Sequence, residues 1–463
     1  MNICLACREV VVDLHGGLPR ATCDLAMALA RAGHRVTLVT DRSGAPVPAL
    51  DGVDVVRVGV EEVADAFPGA ASETAPHNLL HAAAVWREVS RRHVLDAPVD
   101  VVLAPLWRSE GAVCALDRRW PTIVSCMTSL RTLVELDPGY SALPDLGQRL
   151  SLEEAALRRS PYLHGLTHAV LDKTILDYGL APRATAVIGR GMADRARDGL
   201  GAPREGDVHI LFVGRIERRK GVDVLFAAAS QLVSDGAAVR FTFAGPPADP
   251  GLMAAFSASL AGSEALRFRV TFTGHVTDAQ LTALYASADV VCVPSRYESH
   301  GVVLIEAMMF GAAIVTCAAG GIGEVVQDER TALIVAPDDV AVLSAALRRV
   351  LADQALRLRL GTAARAAYER RFEPDAVVAD MAAFFMRVRQ TGVRGRRLRV
   401  PWRRPRPGFV ERVAALVGDG LGLAPAEATI AARRLLGLPV RMRLRTMLSL
   451  ATATKVRQPQ LPR

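Results

Sequence analysis

The 463-residue sequence predicts an α/β protein built from two successive parallel-sheet domains. Three observations lead there. Short runs rich in β-branched residues alternate with longer stretches of helical periodicity. The short runs are almost wholly apolar, as strands covered on both faces must be. The pattern also restarts near residue 209, after a segment rich in Gly, Arg and Asp.

Taken in order, a strand at 3–6 precedes a helix at 20–32, which Gly33 stops, and a strand at 35–40. Further strands are expected at 53–58, 99–104, 122–126 and 165–171. After the restart, a strand at 209–213 ends at Gly214 and a helix covers 222–233. Strands recur at 239–244, 269–273, 289–293, 313–316 and 333–335, with helices at 278–286, 302–310 and 340–351. One more amphipathic helix is expected at 375–388. The expected organisation is a domain over 1–194, a second over 207–372, a crossover helix over 373–391, and a basic tail of uncertain order over 392–463, with one helix at 426–436. Two Rossmann-like sheets place a ligand in the cleft between them, outside the carboxyl ends of their strands.

Apolar residues make up 51% of the chain and charged residues 22%, which excludes wholesale disorder. The net charge of +8 is unevenly spread. From residue 387 onward there are 18 Lys and Arg against 3 Asp and Glu, a net +15 that leaves the first 386 residues at −7. By charge the basic tail suits an anionic membrane surface or nucleic acid, or a solvated, partly disordered extension. The mildly acidic body means the high pI says nothing of the body's partners, and no nucleic-acid partner is expected. Seven cysteines, an odd count, imply no disulfide framework and point to a reducing compartment. The pair Cys4 and Cys7 lies in an expected buried strand, with no second pair to complete a zinc site. No basic segment precedes an apolar run at the N-terminus, so no signal peptide is expected. The longest uncharged stretch, 307–323, holds four glycines and reads as a helix end, a short strand and a turn.

Three pieces could carry chemistry. In Pro294-Ser-Arg-Tyr-Glu298-Ser-His-Gly301-Val-Val-Leu-Ile-Glu306, a strand runs into a loop with Glu298 in front of a helix N-terminus. Such an end presents unpaired amides and partial positive charge, which suits a phosphate or a sugar edge. Glu306, inside that helix, can accept two hydrogen bonds from a vicinal diol. In Gly214-Arg215-Ile-Glu-Arg-Arg-Lys220-Gly221, Arg215 sits at the carboxyl end of a strand and Lys220 just before a helix. Two cations there could hold a diphosphate. The pair Gly16-Gly17 follows the first strand, where backbone can approach a phosphate closely. Taken singly, each piece also reads as an ordinary cap, basic turn or glycine turn.

Together, in this order and spacing, they resemble the GT-B glycosyltransferases, in particular the large retaining family often called family 4. The resemblance covers roughly residues 1–390 and extends to Phe272-Thr-Gly274-His-Val276 and Gly320-Gly321-Ile-Gly-Glu324. It implies a nucleotide-diphosphate sugar as co-substrate, with no other cofactor and no metal. The Asp-x-Asp metal motif of the GT-A class is absent from the chain. By similarity, Arg215 and Lys220 neutralise the departing diphosphate, Glu298 binds donor-sugar hydroxyls and Glu306 holds the ribose. Backbone near Gly274 and Val276 meets the base. Amides of Gly301, Val302 and Val303, with Gly16 and Gly17, meet sugar and phosphate. The acceptor (a glycan, a lipid-linked sugar or a small molecule) lies on the first domain, and the expected location is cytoplasmic, with peripheral contact at the inner face of the plasma membrane. Family members often carry a His where Met127 stands here, and Gly323 replaces the usual Pro before Glu324. His15, His164, His168 and His300 read as loop or packing histidines. The other readings are a nucleotide-sugar epimerase of the same architecture and a non-catalytic nucleotide-sugar-binding subunit.

Overall fold

The computed structural model describes residues 1–8, 10, 17–42, 47, 49–72, 74–196, 206–392 and 408–438. The first domain comprises β1 (Asn2–Ala6), α1 (Gly17–Arg31), β2 (Arg35–Asp41), β3 (Val53–Val58), α2 (Ala75–Leu95), β4 (Val101–Pro105), β5 (Thr122–Cys126), α3 (Leu130–Leu136), α4 (Leu146–Arg159), β6 (Tyr162–Gly165), α5 (His168–Tyr178) and β7 (Ala184–Val187). The second comprises β8 (Val208–Val213), α6 (Val222–Ser234), β9 (Val239–Ala244), α7 (Pro250–Gly262), α8 (Glu264–Arg269), β10 (Val270–Gly274), α9 (Asp278–Ser287), β11 (Val290–Val293), α10 (Val302–Met309), β12 (Ala313–Cys317), α11 (Ile322–Val325), β13 (Leu333–Val335), α12 (Val340–Ala352) and α13 (Gln354–Arg371). Three further helices, α14 (Pro374–Gly392), α15 (Phe409–Leu421) and α16 (Pro425–Leu435), complete the described chain.

Both sheets are parallel throughout. The first runs β3-β2-β1-β4-β5-β6-β7 and the second β10-β9-β8-β11-β12-β13. In each, the strand order reverses beside the first strand, between β1 and β4 and between β8 and β11. Loops leaving these strands diverge to opposite faces there and open a crevice. The segments after β1, β8 and β11 are those that carry Gly17, Lys220 and Glu298. The central strands read as apolar runs because they are covered on both faces: every residue of β4, β11 and β12 is buried.

The two-domain expectation agrees with this architecture. One local expectation does not. Residues 165–171 were expected as a strand, but β6 ends at Gly165, and Thr167 caps α5 by accepting a hydrogen bond from the Val170 amide. The apolar run Leu166 to Leu171 is the start of a buried helix face, which periodicity over so few residues does not separate from a strand.

The C-terminal region also differs from an extension. α14 leaves the second domain and buries Val378, Met381, Phe384, Phe385 and Val388 with β1, β2 and α1 of the first. α15 and α16 then pack into the first domain's core. Phe409, Val413, Leu416 and Val417 are at most 2% exposed, and Phe409 lies 5.1 Å from the Trp86 ring of α2. At roughly 1.5–3 kcal/mol per buried large apolar side chain, this hairpin is a substantial part of that core. The expected uncertain order therefore does not hold for 408–438, whereas 393–407 and 439–463 lie outside the described residues. Among the described residues no single helix is long and apolar enough to cross a membrane. All seven cysteines are buried, none forms a disulfide, and burial pushes the Cys4 thiol up to about 12.

Candidate functional site

The carboxyl edge of the second sheet gathers most of the residues singled out above. After β8, the chain turns through Gly214 and Arg215 into a short turn of helix at Arg218–Lys220, then Gly221. Gly221 has φ +65°, and a Cβ there would lie 1.9 Å from the Pro294 carbonyl oxygen, so only glycine lets this loop press against the segment after β11. That contact brings Lys220 to Glu298. The Lys220 Nζ donates to Glu298 Oε1 at 2.6 Å, and Ser295 Oγ donates to the same oxygen at 2.8 Å. Glu298 is only 8% exposed. Burial works to raise its carboxyl, but the charge and hydrogen bond of Lys220, then Arg219 and Ser295, outweigh burial and hold it below the usual carboxylate range.

Two residues expected to face a ligand therefore face each other. Lys220 is not a lone cation in front of a helix, and Glu298 is not an exposed carboxylate. Arg215 donates to Glu217 at 3.1 Å and stands 3.5 Å from the Tyr140 hydroxyl of the first domain. Arg219, which pairs with Glu217 at 2.6 Å, also reaches the Tyr297 carbonyl and so ties the two loops together.

Glu306 lies one turn into α10 and is 5% exposed. Its carboxylate accepts from Arg195 of the interdomain linker at 2.7 Å and from the Tyr285 hydroxyl of α9 at 2.7 Å, while Arg20 of α1 stands 3.8 Å away. Arg20 also pairs with Asp278, the first residue of α9. That residue follows the turn at Gly274 and Val276, so this turn and Glu306 are bridged by one arginine from the opposite domain. The Gly274 carbonyl accepts from the Gly245 amide at 2.9 Å, and a Cβ on Gly245 would lie 2.0 Å from the Gly214 carbonyl oxygen. The ends of β8, β9 and β10 thus meet at one ledge.

α10 begins after Gly301, with Val302 and Val303 as its first residues. A Cβ on Gly17 would lie 2.7 Å from Val302 Cγ2, so the starts of α1 and α10 abut across the cleft. Gly16 lies outside the described residues. The domains are pinned again at Glu324, whose carboxylate accepts from the His168 and Ala169 amides at 2.7 and 2.8 Å and so caps α5 of the first domain. Thr167 Oγ1 donates to the Ser299 carbonyl at 2.8 Å.

The structure thus brings Arg215, Lys220, Glu298, Gly301, Glu306 and Gly274 to one edge, and Gly17 against it. Sequence reasoning missed Arg20, Arg195, Tyr285 and Ser295. Ser295 was within reach, three residues before Glu298 in the same loop. The arginines carry no local signal in so arginine-rich a chain. Met127 is partly buried just past β5. His164 and His300 are 3% and 2% exposed, and burial lowers them to about 4 and about 3.

A model of the family described as glycosyl transferases group 1 matches residues 199–367, and a model of the glycosyl transferase 4-like domain matches residues 16–191. The chain is 28% identical over 402 residues to a glycogen synthase of Mycobacterium tuberculosis, covering 83% of this chain and 94% of that one. It is 30% identical over 378 residues to a D-inositol 3-phosphate glycosyltransferase of Kineococcus radiotolerans, covering 75% and 85%. Among solved structures, Anabaena Alr3699/HepE in complex with UDP-glucose superposes with a TM-score of 0.63 at 17% identity, covering 84% of this chain and all of that one, which shows a shared GT-B fold. With both halves matched in order and a relative at this identity over most of its length, the chain belongs to the group 1 glycosyl transferases and is a glycosyltransferase of the type that uses nucleotide sugars.

Proposed function

We propose that the enzyme transfers a sugar, with retention at the anomeric carbon and without a metal, from a nucleotide-diphosphate sugar to a glycan, lipid-linked or small-molecule acceptor. The observation that carries this reading is the meeting of Lys220, Glu298 and the α10 start at the strand-reversal crevice of the second sheet, with Glu306 one turn further in. The donor's ribose takes the Glu306 carboxylate, and its base lies along the Gly274 to Val276 turn. Lys220 and Arg215 engage the diphosphate. As the bond from the anomeric carbon to the phosphate oxygen breaks, negative charge builds on that oxygen, and cations already in place stabilise it with little rearrangement. The acceptor oxygen bonds to the same face, and its proton leaves with the diphosphate. Glu298 exchanges its bond to Lys220 for hydroxyls of the donor sugar. No cofactor beyond the donor is required.

We further place the enzyme in the cytoplasm, at the inner face of the plasma membrane, through the basic segments 393–407 and 439–463, in polysaccharide biosynthesis. Cosedimentation with anionic vesicles should fall when the chain ends at 438, and equal binding would refute the membrane contact.

A melting-temperature screen of nucleotide sugars identifies the donor, since a ligand of the folded state raises stability by mass action. Proton NMR of the product then reads the anomeric configuration. An inverted product, or release of an isomerised nucleotide sugar with no transfer, would overturn the proposal.

A further inference from the structure

In the first domain, Arg190 is a charged group that neither the core nor the donor residues use. Arg190 follows β7, between Gly189 and Gly191 and ahead of the linker. Protein crowds round it, yet part of its surface stays open to a hollow. Among the described residues no carboxylate pairs with it and no side chain or carbonyl accepts a hydrogen bond from it. Burial pulls its guanidinium down to about 10, partly offset by the Cys7 thiol, which still leaves a cation at neutral pH.

The hollow, of about 60 Å³, lies at the carboxyl ends of β1, β4, β5 and β6, where ligands of parallel sheets bind. Among the described lining residues, Arg190 alone carries a permanent charge. Thr22, Ser125 and His164 supply the other polar side chains, and the Thr22 hydroxyl is committed to the Leu18 carbonyl at 2.8 Å. His164 Nε2 lies 2.8 Å from the Ile188 carbonyl, which can only accept, so this nitrogen carries the hydrogen. Nδ1, 3.0 Å from Ser125 Oγ, is then the acceptor of the serine hydroxyl. Burial lowers His164 to about 4, so it is neutral and adds no counter-charge. The hollow has room for a carboxylate or phosphate group beside the guanidinium.

The hollow also has a place in the reaction. A Cβ on Gly189 would lie 2.8 Å from His300 Nε2, and His300 stands two residues beyond Glu298. The charge on Arg190 reaches His300 and helps lower it. An anion beside Arg190 therefore lies next to the Glu298 loop, on the first-domain side, while Lys220 and Arg215 serve the other side.

We propose that Arg190 anchors an anionic group, a carboxylate or a phosphate monoester, carried by the acceptor. The inference rests on the transferase reading of the cleft. An ion withdrawn from water with no partner is unfavourable until a counter-charge arrives, and the guanidinium fork matches both groups.

The test uses the full chain. Nucleoside diphosphates are first screened by melting temperature, which checks the donor site by itself. A chain that responds to none of them overturns the transferase reading and leaves the Arg190 comparison standing on its own. With the strongest nucleotide at saturation, inorganic phosphate is titrated into the parent, Arg190→Lys and Arg190→Met. Phosphate affinity should fall at least tenfold in Arg190→Met and less in Arg190→Lys, and equal affinity in all three overturns the subsite. Without phosphate, Arg190→Met should melt no lower than the parent, because it removes a half-buried cation that has no partner among the described residues. A variant that melts several degrees lower, or does not fold, makes Arg190 structural and overturns the proposal. Turnover with a uronate donor relative to its neutral counterpart should be unchanged in Arg190→Met. A selective loss of the uronate donor would assign the anion to the donor and overturn the acceptor assignment.

Discussion

Replacing Lys220 by alanine tests the centre of the proposed mechanism, because two consequences of the change can be separated. Lys220 and Glu298 are 17% and 11% exposed at their side chains and 2.6 Å apart. Without the ammonium group, the Glu298 carboxylate keeps Ser295 as its hydrogen-bond donor but loses its nearest positive charge. Removing one partner of a buried pair costs about 3–5 kcal/mol, and the residual exposure here places the expected loss near about 3 kcal/mol. The pH dependence should change sign. In the parent the Glu298 carboxyl is depressed, so its contribution is present above the ordinary carboxylate range and is lost as pH falls through the depressed value. In Lys220→Ala, burial dominates and raises the carboxyl, so stability should fall as pH rises through that range. Adding Glu298→Gln should restore most of the stability by removing the stranded charge. Turnover should behave differently. Losing one charge-assisted contact to the departing diphosphate, worth about 1.5–3 kcal/mol, should lower kcat roughly 10- to 150-fold, with a smaller effect on binding of the intact donor. Urea unfolding reads the first consequence, and donor hydrolysis with calorimetry reads the second. If the double variant recovers turnover along with stability, Lys220 is only a structural counter-ion to Glu298 and the proposed role is wrong.

Glu306→Gln removes the ion pair to Arg195 and one acceptor for the ribose diol. Calorimetry with the preferred nucleoside diphosphate should show affinity lower by roughly 10- to 150-fold, and unchanged affinity would remove Glu306 from the nucleotide site. Glu153 is held by the Leu130 amide and the Tyr178 hydroxyl, and burial raises its carboxyl to about 7. A raised acid favours the folded state while protonated, so stability should decline by about 3 kcal/mol as pH rises from near 4.5 to 7. Glu153→Gln should flatten that slope in urea unfolding, and an identical slope would show that the group does not ionise there. Phe409→Ala should cost about 3–5 kcal/mol if α15 belongs to the core, and a change below about 1 kcal/mol would make the hairpin an appendage.

Much of the architecture was legible because buried parallel strands carry their own signal. Val290 to Val293 is apolar throughout, Ala313 to Cys317 is apolar but for Thr316, and both are bounded by turns, so their position follows from sequence. The second domain's site was legible for a related reason: strand, loop and helix start are consecutive there, so Glu298 and Gly301 cannot be far apart. The partners of these residues were not legible. Tyr285 reaches Glu306 from another helix of the same domain, and Arg20 reaches Asp278 from 258 residues away across the two domains, so tertiary packing and domain docking set these contacts and no local pattern does. The hairpin of α15 and α16 was obscured by composition. The basic residues that flank it dominate the charge count, while Phe409, Val413 and Leu416 follow a helical spacing only thirteen residues long.

The pairings also constrain what donor binding can be worth. Lys220 and Glu298 satisfy one another, and Glu306 is held by Arg195 and Tyr285. A donor that engages these groups exchanges contacts, so its affinity is the difference between two sets of charge-assisted bonds. Exchange favours a doubly charged diphosphate over neutral sugars, because only the former replaces the carboxylate that Lys220 gives up. Arg20 adds a second consequence. It comes from α1 of the first domain and bridges Asp278 to Glu306, so a nucleotide that takes Glu306 also loosens a contact between domains. Occupancy of the ribose position and the packing of α1 against α10 are then linked by one side chain. Arg20→Ala should therefore change nucleotide affinity although Arg20 lies outside the second domain. Equal affinity in parent and variant would show the two to be independent.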